Sequence, residues 1–356
     1  MSRPLSAIEN RDPRPLTTPA KHGALSRFFL SLINDERDLP FVWLSIEMSV
    51  VIPVCAALFY VPGLLPLWVA PAYWALIFLV YLDRFTLMLH NTSHRRLFKR
   101  KFRVLNKWIP WLIGPFMGQS PETYYVHHIT MHHSEGNLPN DLSTTMPYQR
   151  DSFFDWLKYF GRFFFGILIE MTMYQAKKKR WPLVRTQLVG ELGFYALCIG
   201  LCFVNLYATL IVFVVPFVVI RILMMIGNWG QHAFVDPDEP NNDYKSSITC
   251  INSRYNRRAF NDGYHISHHL VANRHWLEHV PEFEENLDKY IENDAIIFEG
   301  LDFFLVSILL FFKRYDTLAN HFVELRETPR EKDEIIALMK RRLQKFSPEQ
   351  LAAYAK

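Results

Sequence analysis

Read by its hydrophobic and polar positions, the chain divides into long apolar runs with polar stretches between them. No Asp, Glu, Lys or Arg occurs from Met48 to Leu82, and Val61-Pro62-Gly63-Leu64-Leu65-Pro66 breaks this run near its middle. A second uncharged run extends from Leu192 to Ile220. A membrane-crossing helix needs about 20 apolar residues and must satisfy its own backbone hydrogen bonds. The two runs with their flanks therefore predict two helical hairpins, with crossings at roughly 42–62, 66–89, 187–206 and 208–229 and Asn205 near the second bend. The stretches Phe153 to Met173 and Ile296 to Phe312 are also apolar, but Asp155, Lys158, Arg162, Glu299 and Asp302 interrupt them, which predicts interfacial rather than crossing segments.

The expected fold class is an all-α integral membrane protein: four transmembrane helices as two hairpins, plus a cytosolic helical cap and interfacial helices. Along the chain this gives a cytosolic N-terminal tail over 1–40, a membrane domain over 41–275, and a cytosolic or interfacial helical region over 276–356. The bends carry no charge, and the Lys and Arg outside the hairpins fall on the side that holds both termini. The positive-inside rule makes that side cytoplasmic, facing the cytosol from the endoplasmic reticulum in a eukaryote or from the inner membrane in a bacterium. Arg11-Asp12-Pro13-Arg14-Pro15 is too charged for a signal peptide and reads as part of a flexible tail. Arg95, Arg96, Lys99, Arg100, Lys101 and Arg103 follow the second crossing directly. They read as a helix on anionic headgroups, with a specific lipid-phosphate site as the sharper alternative.

Composition narrows this further. The 356 residues carry 39 basic and 35 acidic side chains, a balance that gives no reason to expect a nucleic-acid partner. Cys55, Cys198, Cys202 and Cys250 are scattered without a CxxC pair, which excludes a cysteine redox or metal motif.

The 14 histidines are about twice an ordinary share, and most stand in short patterns. His90-Asn91-Thr92-Ser93-His94 places two imidazoles on one helix face. His128 to His133 forms HxxxHH with His127 in front, and His265-Ile266-Ser267-His268-His269 forms HxxHH. One HxxxH arises easily by chance, whereas two three-histidine patterns in one chain point to metal ligands. His232, at the end of Gly227-Asn228-Trp229-Gly230-Gln231-His232, returns at the same face of the membrane. Nine imidazoles, His90, His94, His128, His132, His133, His232, His265, His268 and His269, exceed the needs of one ion and suit two ions with four or five each. Imidazole serves iron, copper and zinc alike.

The boxes HxxxH, HxxxHH and HxxHH, in this order with transmembrane pairs between them, resemble those of the membrane fatty acid desaturase and hydroxylase superfamily over about residues 40–275. The resemblance implies a cytosol-facing di-iron centre, O2 as co-substrate, and those histidines as iron ligands, His232 matching an additional histidine between the second and third boxes. Asn228 to Phe234 is similar to a stretch of the alkane omega-hydroxylases in the same superfamily, which implies that Asn228 holds a metal-bound water. No His-Pro-Gly-Gly haem motif and no rubredoxin-type cysteine pairs occur, so the resemblance implies a separate electron-donor protein of ferredoxin, rubredoxin or cytochrome type. The implied reaction removes hydrogen from a methylene of a lipid acyl chain. Loss of a second hydrogen gives a double bond, and addition of oxygen gives the alcohol of a hydroxylase acting on an alkane, fatty acid or isoprenoid such as a carotenoid.

Other residues have blander readings. His275 and His279 are expected on an ordinary polar face. Arg221 either snorkels or faces the bundle and meets a headgroup or carboxylate. Asp83 is the first candidate to orient a ligand imidazole, ahead of Asp141 and Asp262. The loop Asp236 to Asp243 reads as a solvated turn, with electron-donor docking as the alternative, and Glu324 to Lys345 as an exposed amphipathic helix. The rival from another class is a non-enzymatic, His-rich metal transporter or sensor. Against it, the boxes stand at span ends rather than near the midplane.

Overall fold

The computed structural model describes residues 3–5, 8–15 and 21–355. Four helices are long and apolar enough to cross a membrane: Glu36–Tyr60, Leu67–His94, Trp181–Val204 and Leu206–Gln231. Each coincides with an expected crossing. Local chemistry sets their ends. Asp35 accepts a hydrogen bond from the Arg37 backbone as the first span opens, Pro182 stands in the first turn of the third, and the Asn205 side chain caps the fourth by accepting from the Ala208 N–H. The bend at Asn205 is where the uncharged run predicts it.

The chain forms two compact units. One holds residues 16–129 and 171–221, the other residues 1–15, 130–170 and 222–356. The first contains the two hairpins up to Arg221. Within the first hairpin, Tyr81 donates to Glu47 at 2.8 Å. Within the second, Phe194 stacks on Phe217 with ring centroids 5.4 Å apart. The hairpins meet near their bends, where Tyr60 and Thr209 share a hydrogen bond of 2.9 Å and Trp74 donates to the Ile211 carbonyl at 3.0 Å. Gly190 allows the third span a close approach, since a Cβ there would lie 1.8 Å from the Pro121 carbonyl oxygen. Arg221 faces the bundle and is buried. It donates to both oxygens of Glu191, at 2.9 and 3.2 Å, and stacks over Phe217. Of the two readings for this residue, the carboxylate partner is the one found.

The other unit contains most of the 25-residue helix Phe153–Lys177, many short helices and two small parallel sheets, one pairing Arg3–Pro4 with Val323–Glu324 and one pairing Thr249–Ile251 with Ile297–Glu299. Its core gathers Phe234, Phe298, Phe322, Ile335 and Met339. The last two project from Lys332–Arg342, so the amphipathic helix expected near the C-terminus buries its apolar face here. The buried Arg150 guanidinium donates to the carbonyls of Ala233, Arg342 and Gln344, tying three segments together.

As expected, Ile296 to Phe312 does not cross: it contains a nine-residue helix, Phe303–Phe311, about 14 Å long. One expectation changes. The N-terminal segment expected to be flexible is anchored: buried Asp12 accepts hydrogen bonds of 2.8 Å from Asn252 N, Asn256 Nδ2 and Tyr264 Oη. Residues 16–20 of that expected tail lie outside the described residues.

Candidate metal centre

In the unit that contains both three-histidine boxes apart from His128, the ligand atoms of His132, His232, His265 and His269 lie within 4.8 Å of one another. His265 and His269 occupy one face of the short helix His265–Leu270, four residues apart. His232 follows the last turn of the fourth span. Gly230 just before it has no room for a side chain, since a Cβ would stand 2.3 Å from the Phe303 carbonyl oxygen. This close packing sets where His232 emerges. His132 ends a π-helical turn, His128–His132, and a left-handed Gly136 closes the short helix that follows.

Hydrogen bonds fix which nitrogen each ring presents. His232 Nδ1 meets the Ser246 carbonyl at 2.9 Å, and His132 Nδ1 meets Asp141 Oδ2 at 2.7 Å. Each therefore keeps its proton on Nδ1 and turns the Nε2 lone pair inward. His232 Nε2 lies 3.3 Å from His265 Nε2, which lies 3.0 Å from His269 Nε2. Beside them, His268 Nε2 and His133 Nε2 are 2.9 Å apart. Two imidazole nitrogens bound at ~2.0–2.1 Å to one ion stand ~2.9–3.4 Å from each other, so these separations are those of ligands around a cation. Burial, with the neighbouring His132, pushes His232 down to about 3, and burial with four surrounding imidazoles pushes His269 well below the ordinary histidine value. Both are neutral and able to donate a lone pair at pH 7. The residues present fit a metal.

In the other unit, His90 and His94 stand in the last turns of the second span and His128 faces them. Ring centroids are 4.6 to 5.1 Å apart, and His94 Nε2 lies 3.1 Å from His128 Nε2. Thus His128 stands with the imidazoles of the first box. Tyr124 stacks on His128 at 5.0 Å.

A buried carboxylate, Asp141, bonds the His132 imidazole, while Asp83, the first candidate for such a role, accepts from its neighbour Arg84 N–H. Asp141 is buried and also accepts from Ser143 N and Ser143 Oγ, each at 2.7 Å, and from Asn137 N at 3.0 Å. Burial alone would raise its pKa. The imidazole of His132 and the hydrogen bonds from His132 and Ser143 override that and hold it at about 2. Asn228 joins the same network from the far side, donating to Tyr159 Oη at 2.7 Å and to the Ser143 carbonyl at 3.2 Å. Sequence reasoning missed Ser143 and Tyr159, for which no local pattern gives a signal.

His275 and His279, expected on a polar face, are both buried. His279 Nδ1 lies 2.9 Å from Ser267 Oγ, behind the third box, and His275 Nδ1 accepts from Leu277 N–H to cap a short helix. The acidic loop is more than a solvated turn: Asp236 pairs with Arg342 at 3.0 Å, Asp238 with Arg341, and Glu239 with Lys245 at 2.7 Å. These pairs leave the docking alternative with less free charge.

With this geometry in place, comparison with known proteins is informative. The fatty acid desaturase family model matches residues 66–300. No curated protein and no solved structure matches the chain.

Proposed function

The chain belongs to the fatty acid desaturase family, and from that premise we propose that it is an integral membrane, O2-dependent di-iron oxidoreductase that introduces a double bond into the acyl chain of a lipid. The observation that carries this is the His132, His232, His265 and His269 group, four buried or half-buried imidazoles with converging ring nitrogens. They would hold one ion, and at four or five imidazoles per ion the nine box histidines suit two. When bound, the iron pair supplies activation of dioxygen against an unactivated methylene. Per turnover the acyl chain gives up two hydrogens, a separate donor protein gives two electrons, solvent gives two protons, and O2 leaves as two waters.

The chain's own residues prepare this chemistry. Asp141 and the Ser246 carbonyl hold the protons on His132 and His232 at Nδ1 and so keep Nε2 available as a ligand. The apolar spans keep water from the lipid chain. By charge distribution the boxes face the cytoplasm.

Hydroxylation of an alkane, fatty acid or isoprenoid is the second reading, favoured by the Asn228 to Phe234 stretch. The test is lipid analysis by mass spectrometry after expression in a host lacking the activity, beside His268→Ala. A product two mass units lighter, absent in the variant, supports desaturation. One sixteen units heavier supports hydroxylation, and product formation by His268→Ala would overturn the ligand assignment.

A further inference from the structure

A cavity of about 470 Å³ opens beside the end of the second span, among Leu89, Val104 and Pro110 on its apolar side and Arg96, Arg103 and Lys107 on its polar side. Arg96 and Arg103, with Arg100, also line an adjoining hollow of about 450 Å³. Lys107 is committed to Glu122 at 2.7 Å. Among the described residues, the guanidinium groups of Arg96, Arg100 and Arg103 make no ion pair, whereas nearby Arg95 pairs with Asp35 at 2.6 Å. Three exposed guanidiniums without an ion pair thus line this pair of hollows, and guanidinium presents the planar fork that binds phosphate or carboxylate. A basic run that only rested on a membrane surface would not need a lined cavity.

The cavity's lining also includes the buried Gln119 and Ser120, and Tyr124, whose ring stacks on His128 and stands edge-on to His90 at 6.4 Å. Apolar wall, cationic rim and a Tyr124 partition against the imidazoles together describe a place for an amphiphile whose head is anionic.

We propose that this cavity holds the phosphate or carboxylate head of the lipid substrate, with Arg96 and Arg103 as its principal contacts. The proposal rests on the acyl-chain reading above, and it excludes neutral hydrocarbons as the preferred substrate. The head belongs either to a membrane lipid or to a soluble acyl carrier, and both present the same chemistry to the two arginines.

The experiment measures binding rather than turnover, so its outcome is separate from that of the oxidase reading. Full-length protein in neutral detergent is titrated with dipalmitoyl phosphatidic acid, with palmitoyl-coenzyme A, and with palmityl alcohol, following tryptophan fluorescence. An Arg96→Gln, Arg103→Gln double variant is titrated in parallel. Metal content and melting temperature of the variant are measured to establish that it is folded. The wild type is expected to bind at least one anionic probe more than tenfold tighter than the alcohol, and the variant to lose that preference by ten- to a hundredfold while binding the alcohol unchanged. Preference for phosphatidic acid supports a membrane-borne head, and preference for palmitoyl-coenzyme A supports a soluble carrier. Equal binding of all three probes, or unchanged anion affinity in the folded variant, overturns the proposal.

Discussion

Replacing Asp141 by Asn tests how the four-histidine group is held. The substitution keeps the side chain's volume and removes its charge. Asp141 Oδ2 accepts from His132 Nδ1 at 2.7 Å and from Asn137 N at 3.0 Å, while Oδ1 accepts two hydrogen bonds from Ser143. An amide has one accepting oxygen, so its nitrogen must face either the His132 N–H or the Ser143 donors, and one set is left opposed. Losing a hydrogen bond to a charged acceptor costs about 1.5–3 kcal/mol. Loss of a carboxylate behind a metal-bound histidine lowers metal affinity by ~10–100-fold, which is the same range. The assay is a competitive chelator titration of purified protein, with melting temperature read on the same samples. Asp141→Asn is expected to release metal at ten- to a hundredfold lower chelator concentration. Wild-type retention in a folded variant would refute the claim that Asp141 orients His132.

Two further outcomes follow from the buried charges. Glu191→Gln leaves the Arg221 guanidinium buried without its carboxylate and is expected to destabilise the bundle by about 3–5 kcal/mol, whereas the double substitution Glu191→Leu, Arg221→Leu removes both charges and is expected to recover most of that loss in detergent melting experiments. A double variant no more stable than the single one would contradict the pairing. In metal-stripped protein, His232 is held down to about 3 and His269 well below the ordinary histidine value, so as pH falls below about 6.5 the unfolded state takes protons that the folded state refuses. Their contribution is complete above pH 6.5 and is lost progressively from there toward pH 3, so the melting temperature of the stripped protein is expected to fall between pH 7 and 5. A flat profile would contradict their burial as neutral rings.

The architecture was legible in the sequence because lipid imposes a local rule: each span must be apolar over its own length, and a break such as Val61 to Pro66 or a cap such as Asn205 marks the ends. The boxes were legible for a similar reason, since helix periodicity places His265 and His269 on one face without knowledge of anything distant. What escaped depends on partners far apart in the chain. Asp83 stands about two turns before His90 and drew the prediction, whereas Asp141 is brought to His132 by the loop closed at Gly136. Asp12 reaches Tyr264 across 252 positions, and Asp236 reaches Arg342 across more than 100. Charged segments that look solvated in sequence are consumed in such pairs. Burial of His275 and His279 follows the same logic, because HxxxH spacing alone does not tell a surface from an interior.

The most direct test of the central claim is metal content per chain, by mass spectrometry of digested protein purified in detergent, beside a matched His268→Ala, His132→Ala variant. Near two irons per chain in the wild type, lost in the variant, is the expected result. Zinc, a single ion, or no metal in a folded wild-type protein would contradict the di-iron assignment.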